Sequence, residues 1–217
     1  MPVKEKIRKI FDLLYKHFGP QHWWPGETPF EIMVGAVLTQ STNWGNVEKA
    51  INNLKSAGFL DPGAIEEMST DYLAHLIRPA GYFNQKAKKL KNLVHYLISS
   101  YQGDIERMRQ EPLEKLRAEL LSVRGIGKET ADSILLYALE KPIFVVDTYT
   151  FRVLSRHRLI GEEAFYDEIQ ELFMNNLEPS VELFNEYHAL FVAVCKTFCK
   201  KKKPLCDHCP LKPLLEP

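Results

Sequence analysis

The four cysteines of this 217-residue chain lie together near its C-terminal end and have the spacing of a metal-ligand set. They are Cys195, Cys199, Cys206 and Cys209, in the pattern C-x3-C-x6-C-x2-C. The first two would share one face of a helix, and the prolines that follow force loops in which the other two thiols can approach the same centre. The opening segment lacks the apolar core of a secretory signal, so we expect a metal site rather than a disulfide pair. Four thiolates suit either Zn²⁺ or an iron–sulfur cluster.

A Gly-Ile-Gly turn separates two segments of helical pattern in LLSVRGIGKETADSILLYAL (120–139). Gly125 and Gly127 let the backbone adopt positive φ and approach a ligand closely. The amides of Gly127 and Lys128 would then point outward at the start of the second helix, where a phosphate oxygen can bind. An ordinary helical hairpin would also use glycine in its turn, so the residues alone leave both interpretations open.

Asp147 follows this hairpin in the segment VVDTYTFRV, after an apolar approach from Ile143 to Val146. That approach could deliver its carboxylate into a poorly solvated cleft, where perturbed acids often do chemistry. Alternatively, Asp147 is the N-cap of the helix that begins TYTFRVL. In combination with the preceding turn, we favour the chemical role.

These candidate residues would be positioned almost entirely by helices. Residues 3–18 place apolar side chains three and four apart, and Thr28-Pro29 is typical of a helix start with Thr28 as its cap. Further helices are predicted over residues 43–57, 69–77, 84–101, 112–123, 163–176 and 179–199. The only strand-like run, residues 142–153, is too isolated to build a sheet. We therefore predict an all-α protein.

Charge is balanced over the whole chain, with 28 basic and 28 acidic residues, but it is unevenly distributed. Basic residues gather in 78–91 and 200–203, whereas residues 161–190 contain acids and neither Lys nor Arg. The basic segments could face a polyanion, although solvated helix faces are the simpler interpretation. An apolar content of 45% excludes a disordered chain, and no apolar run is long enough to span a bilayer.

The helix–Gly-Ile-Gly–helix segment followed by VDTYTFRV resembles the helix-hairpin-helix DNA glycosylase superfamily, which includes endonuclease III and the adenine-mismatch glycosylases. Two other segments, WWPGETPFEIMVGAVLTQSTNW (23–44) and RPAGYFNQKAKKL (78–90), are more similar to the 3-methyladenine DNA glycosylase III branch. The resemblance covers nearly the whole chain.

The resemblance implies two helical lobes that flank a DNA-binding cleft, into which a nucleotide is flipped out of the duplex. Residues 27–140 would form the lobe that carries the helix-hairpin-helix motif. Residues 1–26 and 141–217 would form the second lobe, with the metal-cluster loop. The implied partner is double-stranded DNA containing a damaged base, bound by a monomer without membrane contact. A cytoplasmic location, associated with the nucleoid through DNA, is expected.

The resemblance also assigns chemical roles. Asp147 matches the superfamily's essential aspartate, which stabilises positive charge on the sugar or orients the attacking water. Glu129 stands where strand-cutting members carry a lysine nucleophile, and a carboxylate cannot form a Schiff base. Lys128 is rotated from that position by about 100° around the helix, so we expect it to meet a phosphate. The implied enzyme is a monofunctional DNA N-glycosylase, a hydrolase without AP-lyase activity.

The expected substrate is inferred from three tryptophans. Trp23, Trp24 and Trp44 lie in segments that match the pocket of the 3-methyladenine branch, where aromatic rings sandwich the flipped base; core packing is the alternative for each. Indole faces attract a cationic ring, so alkylated purines, 3-methyladenine first, are the expected substrates. Gln40 could contact the gap left in the duplex. Two other functions stay open: an endonuclease III-like glycosylase for oxidised pyrimidines, and a non-catalytic module that binds DNA damage.

The cysteines depart from the superfamily's usual spacing, C-x6-C-x2-C-x5-C. Cys199, Cys206 and Cys209 match its first three members, but the fourth would fall at Leu215. Cys195, one helical turn upstream, is the candidate replacement. We expect a structural [4Fe-4S] cluster, with zinc as the alternative. The 3-methyladenine branch includes members without a cluster.

Overall fold

The computed structural model describes residues 1–23 and 26–215, and over those residues it contains helices, turns and loops but no β-strand. The prediction of an all-α protein is therefore confirmed. None of the described helices is both long and apolar enough to cross a membrane. The chain forms two compact units: a contiguous one, Trp24–Lys141, and a discontinuous one that combines Met1–Trp23 with Pro142–Pro217.

The contiguous unit is organised around an apolar helix that begins at the predicted Thr28-Pro29 pair, where Thr28 Oγ1 accepts a hydrogen bond from the Glu31 amide (3.2 Å). Its helices are α2 (Pro29–Leu38), α3 (Trp44–Ser56), α4 (Pro62–Glu67), α5 (Thr70–Leu76), α6 (Phe83–Tyr101), α7 (Ile105–Arg109), α8 (Leu113–Ser122) and α9 (Lys128–Ser133), which continues as a π-helical turn (Ile134–Ala138). Helix α2 packs against α3, α6 and α9. It is buried along most of its length, which explains its nearly continuous apolar run.

Two short helices, α4 and α7, are absent from the sequence-based prediction. Each begins at an aspartate whose carboxylate accepts an amide hydrogen bond: Asp61 from Ala64 (2.9 Å) and Asp104 from Arg107 (3.0 Å). Helices this short do not complete an apolar repeat, so the local signals of where they start are the capping aspartate and, in α4, Pro62 in the first turn.

Two lysines of the basic segment 78–91 point inward and bind backbone carbonyl groups. Lys86 is 2% exposed and donates from Nζ to Leu38 O at the end of α2 (2.8 Å) and to Ala80 O (2.7 Å). Lys91 donates to carbonyl groups around the C-terminal end of α4. Burial lowers the pKa of Lys86. The segment therefore presents less positive charge to solvent than its composition indicates.

The discontinuous unit has its long C-terminal helix at the centre. Its helices are α1 (Val3–Phe18), α10 (Thr148–Arg156), α11 (Tyr166–Met174) and α12 (Val181–Thr197), followed by 3₁₀ turns at Cys206–His208 and Lys212–Leu214. Helices α1 and α10 pack against α12. Aromatic rings fill the core: Phe144 and Phe173 stack with centroids 3.7 Å apart, and Tyr187 lies edge-on to both. The Tyr187 hydroxyl donates to Ile7 O (2.8 Å), which ties α12 to α1.

The strand-like run ahead of Asp147 forms no strand in the described part of the chain. Residues Ile143 to Val146 are buried and run directly into α10. Their apolar side chains belong to the core of this unit, and the first polar residue after them is Asp147. The burial of this run therefore fixes the position of the Asp147 backbone at the start of α10.

Candidate active site

Asp147 is the N-cap of α10, as one of the two interpretations of the sequence proposed. Its Oδ1 accepts hydrogen bonds from the Tyr149 amide (2.9 Å), the Thr150 amide (2.8 Å) and Thr150 Oγ1 (3.0 Å). A carboxylate at this end of a helix is also stabilised by the helix dipole. These contacts fix Oδ1 and leave Oδ2 directed elsewhere.

The second carboxylate oxygen of Asp147 lies beside a histidine of α12. Oδ2 is 3.2 Å from His188 Nε2, and the two side chains are only 12% and 8% exposed. Burial by itself raises the pKa of Asp147, but the electrostatic interaction with His188 and the hydrogen bonds from Thr150 outweigh it and hold that pKa below its ordinary value. The carboxylate is therefore ionised at neutral pH although it is buried.

Trp23 contacts the same imidazole. The ring centroids of Trp23 and His188 are 5.6 Å apart and their planes meet at 80°, an edge-to-face arrangement. His188 is not predicted from the sequence as a site residue, because it belongs to no motif. Its position two helical turns before Cys195 puts it on the same face of α12 as that candidate metal ligand, and this shared face is apparent only once α12 is known to be a continuous helix.

The Gly-Ile-Gly turn connects α8 to α9 as predicted, but only one of its glycines has positive φ. Gly125 has a φ of 98°, whereas Gly127 has a φ of −97° and is the N-cap of α9. The expectation of left-handed backbone is therefore wrong for Gly127, since its conformation is open to any residue. A Cβ on Gly125 would overlap the side chain of Lys89, while one on Gly127 would meet nothing within 4 Å.

Gln40, which follows α2, binds this hairpin within the contiguous unit. Its Nε2 donates to Thr130 Oγ1 (2.9 Å) and to Gly125 O (3.3 Å). Its Oε1 accepts a short hydrogen bond from Lys89 Nζ. Lys89 therefore touches both the hairpin glycine and Gln40, which places the glutamine and the turn in one hydrogen-bonded cluster.

The remaining candidates are the pocket residues Trp44, Glu129 and Trp24 and the phosphate-binding candidate Lys128. Trp44 is the first residue of α3 and is half-buried. Its indole lies against Gly35 of α2, where a Cβ added to the glycine would be 3.6 Å from the ring. This contact supports the core-packing alternative for part of its ring. Glu129 and Lys128 are exposed in the first turn of α9. Trp24 lies outside the described residues.

The four cysteines are free thiols at the end of α12 and in the turns beyond it. Two arginines of α10 hold the start of this segment. Arg152 donates to Cys199 O (3.2 Å), and Arg156 donates to Cys199 Sγ (3.0 Å) and to neighbouring backbone carbonyl groups. The helix that begins at Asp147 therefore also supports the cysteine segment at its other end.

The donor chemistry of the cysteine segment fits either metal centre expected from the sequence. Cys195 and Cys199 are hydrogen-bonded to each other, and Cys209 is within electrostatic reach of Cys199 and Cys206. Leu215 offers no ligating atom at the position of the superfamily's fourth cysteine. In residues 1–23 and 26–215, no three potential ligands are grouped as they would be around a single metal ion.

The family follows from the sequence match over residues 34–179, most of the chain, to the model of the HhH-GPD superfamily base excision DNA repair protein. The chain belongs to the HhH-GPD superfamily. The resemblance inferred from the hairpin and from the segment around Asp147 is confirmed. The protein is accordingly a DNA glycosylase of the base excision repair type.

This HhH-GPD protein is similar to members of more than one branch. It is 53% identical over 210 residues to a Methanocaldococcus jannaschii protein provisionally described as a DNA repair glycosylase, with 96% of this chain and 94% of that one covered. A 3-methyladenine DNA glycosylase of H. pylori, bound to 1,N6-ethenoadenine, matches with a TM-score of 0.75 and 33% identity, covering 90% of this chain and 98% of that one. A trapped endonuclease III–DNA covalent intermediate matches with a TM-score of 0.85 and 26% identity, covering 100% and 97%.

Proposed function

We propose that this HhH-GPD protein is a monofunctional DNA glycosylase that hydrolyses the N-glycosidic bond of alkylated purines, 3-methyladenine first, flipped out of duplex DNA. The observation that carries the proposal is the environment of Asp147. This buried carboxylate is ionised. Its Oδ1 accepts hydrogen bonds from amides at the N-terminus of α10, whereas its Oδ2 makes no such bond and lies beside His188. Such a group is suited to stabilising positive charge.

Cleavage of the glycosidic bond builds oxocarbenium character on the sugar. An ionised carboxylate held by a helix N-terminus does not have to reorganise when that charge develops, and fixed groups of this kind lower the barrier. Asp147 then stabilises the sugar cation or orients the water that attacks it. The lowered pKa keeps the carboxylate in its charged form throughout the physiological range.

The residue at position 129 supports hydrolysis without strand cleavage. Glu129 lies exposed in the first turn of α9, and its carboxylate cannot form the Schiff base on which strand-cutting members depend. Lys128 is adjacent, but its side chain leaves the helix about 100° away. The expected product is therefore a free base and an uncut abasic site.

Aromatic side chains support a cationic substrate. An indole face attracts a cation by about 0.5–2 kcal/mol, and a cationic alkylated purine leaves without protonation by a general acid. Trp23, Trp24 and Trp44 are the candidate pocket residues. The similarity to the H. pylori 3-methyladenine glycosylase, at 33% identity, supports the same substrate class.

The hairpin supports binding to duplex DNA that contains the damaged base. We assign the amides of Gly127 and Lys128 to a phosphate, because a helix N-terminus binds anions, and Gly125 to the turn that presents them. Gln40, bonded to this hairpin, is assigned to the gap left by the flipped nucleotide. A monomer suffices for these contacts.

We further propose that Cys195, Cys199, Cys206 and Cys209 hold a [4Fe-4S] cluster, with zinc as the alternative. Either centre would cross-link the segment that follows α12 and would take no part in hydrolysis. Purified protein is expected to be brown and to contain about four irons per chain. A colourless protein with stoichiometric zinc would replace the cluster by the alternative.

An endonuclease III-like activity on oxidised pyrimidines is the second candidate, because the endonuclease III complex matches over 100% of this chain with a TM-score of 0.85. The two candidates are separated by incubating the protein with duplexes that carry 3-methyladenine, thymine glycol or deaminated bases. Freed base and strand cuts are measured separately, with and without borohydride.

The proposal expects release of alkylated purine, intact strands and no trapped covalent complex. Borohydride trapping would overturn the argument from Glu129. Release of thymine glycol alone would favour the second candidate. Tight binding to damaged duplexes without release of any base would instead leave a non-catalytic damage-binding module.

A further inference from the structure

The carboxylate of Asp147 is fixed asymmetrically. Oδ1 accepts three hydrogen bonds from Tyr149 and Thr150 at the start of α10. Oδ2 belongs to none of these and lies 3.2 Å from His188 Nε2. Whatever Asp147 does in the reaction, the orientation and charge of Oδ2 therefore depend on a residue of a different helix, α12.

We propose that His188 is a positioning residue for the glycosylase reaction, which holds Asp147 Oδ2 in place and keeps it charged. The proposal rests on the function proposed above and assigns no contact between His188 and DNA. It accounts for an imidazole that is 6% exposed on the buried face of α12, between Tyr187 and Ala189. A polar ring is costly to bury there unless it is paired.

Trp23 restricts the same imidazole from another direction. Its indole lies edge-to-face with His188 at a centroid distance of 5.6 Å. Rotation of the imidazole would break both this contact and the approach to Oδ2. The His188 ring therefore lies between Trp23, a candidate pocket residue, and Asp147, the candidate catalytic carboxylate.

The surrounding charges make His188 the main electrostatic partner of Oδ2 within this unit. On α12, Cys195 feels the charge of Asp147, which helps to raise the pKa of its thiol, and on α10 Arg152 acts on that thiol with the opposite sign. Neither group supplies Asp147 with a charge at hydrogen-bonding distance in the described structure. Without His188, burial would act on the carboxylate with less opposition.

The test compares His188→Gln and His188→Ala with wild type in single-turnover base release across pH. Removing an opposite charge at this distance raises a carboxyl pKa by about 1–3 pH units, so the acid limb of the profile is expected to move up by that amount. Glutamine can still donate a hydrogen bond, so its rate should lie between those of wild type and alanine. The equilibrium affinity for DNA should change little.

A matched control is His157→Gln. His157 is also 6% exposed and lies in the same unit, but at the opposite end of α10 from Asp147. This control should lower the melting temperature without moving the acid limb. If His188→Gln folds and its pH profile coincides with that of wild type, the proposal is wrong.

A second measurement uses the free protein and no substrate. The ¹³C carboxyl shift of Asp147, assigned by its loss in Asp147→Asn, is titrated in wild type and in His188→Gln. The proposal expects a higher pKa in the variant, and equal pKa values would overturn it. Failure of wild type to release any base would instead count against the proposed function, so the two failures are distinguishable.

Discussion

Two helices of this protein begin in opposite ways. Helix α10 starts at Asp147, whose own carboxylate binds the first amides of the helix. Helix α9 starts at Gly127, and within the described residues no side chain caps it. The first helix uses its positive end to stabilise an anion that belongs to the protein. At the second helix, we propose that the positive end stabilises an anion from outside the protein, a DNA phosphate.

The difference between the two helix starts suggests that catalysis and DNA binding are assigned to different parts of the molecule. At α10 the charge must be buried and held in one orientation, and the contacts of Asp147 with Thr150 and His188 do this. At α9 a side chain would obstruct the approach of a ligand, and Gly127 has open space around its α-carbon. The unit with Asp147 should therefore control the rate, and the unit with the hairpin should control affinity.

The largest expected effect is the loss of base release in Asp147→Asn. The amide cannot stabilise a cation as a carboxylate does, so the single-turnover rate should fall by at least about 100-fold. DNA affinity, measured by fluorescence anisotropy, should change by less than about threefold, well under 1 kcal/mol.

Asp61→Asn is the matched control for that variant, because Asp61 caps α4 in the contiguous unit in the same manner. Its rate should equal that of wild type. A large rate loss in both variants would mean that capping aspartates act through general stability. The proposed separation of catalysis from DNA binding would then be wrong.

The next effect distinguishes the two glycines of the hairpin. Gly125→Ala forces a side chain into positive φ, which costs about 1–2 kcal/mol, and also onto Lys89. For a chain of this size the melting temperature should fall by about 2–8 °C. Thermal unfolding followed by circular dichroism gives this value.

Gly127→Ala should leave the melting temperature nearly unchanged, because the φ of −97° suits alanine and the added Cβ would meet no atom within 4 Å. It should weaken DNA binding if a phosphate meets the amides of α9. Unchanged affinity in Gly127→Ala would remove the start of α9 from the proposed binding surface.

A smaller effect concerns acid stability. The pKa of Asp147 is lowered in the fold from its ordinary value of 3.8, so the carboxylate stabilises the fold above that pH. This contribution is lost as the pH falls through the lowered pKa, because protonation abolishes the charge that His188 and α10 bind. Urea unfolding at pH 7 and near pH 3 should show a steeper acid loss in wild type than in Asp147→Asn; parallel losses would contradict the shift.

The smallest effect is on salt dependence. Lys86 and Lys91 are committed to backbone carbonyl groups, so few lysines of the segment 78–91 remain for phosphates. A plot of log Kd against log salt concentration should therefore have a shallow slope. Lys88→Ala, at an exposed lysine, should reduce that slope by about 1 if Lys88 contacts a phosphate. A steep slope in wild type would show that local charge outweighs the balanced total.

The sequence predicts what depends on local pattern. Thr28 and Asp147 cap the helices that their residue types indicate, because capping is a contact between near neighbours. The positions of Lys86 and His188 could not be predicted in this way, since each depends on which helices pack together. Lys86 binds the end of α2 from α6, and His188 meets Asp147 from α12, about 40 residues further along the chain by number.

Gly127 shows that a local sequence signal can also be misinterpreted. Its residue type indicated special backbone geometry, but the structure has ordinary backbone and open space there. A glycine signals either a conformation or a missing side chain, and sequence alone does not distinguish the two. Gly125 has the conformation and Gly127 the missing side chain.

The discontinuous unit has a consequence for synthesis on the ribosome. Helix α1 is made long before α12, the helix against which it packs. The contiguous unit can complete its core as soon as residue 141 has emerged, whereas α1 must keep its apolar face unsatisfied until the rest of the chain follows. A nascent chain stalled before α12 would therefore expose the buried face of α1, including Ile7, Ile10 and Leu14, to chaperones and proteases.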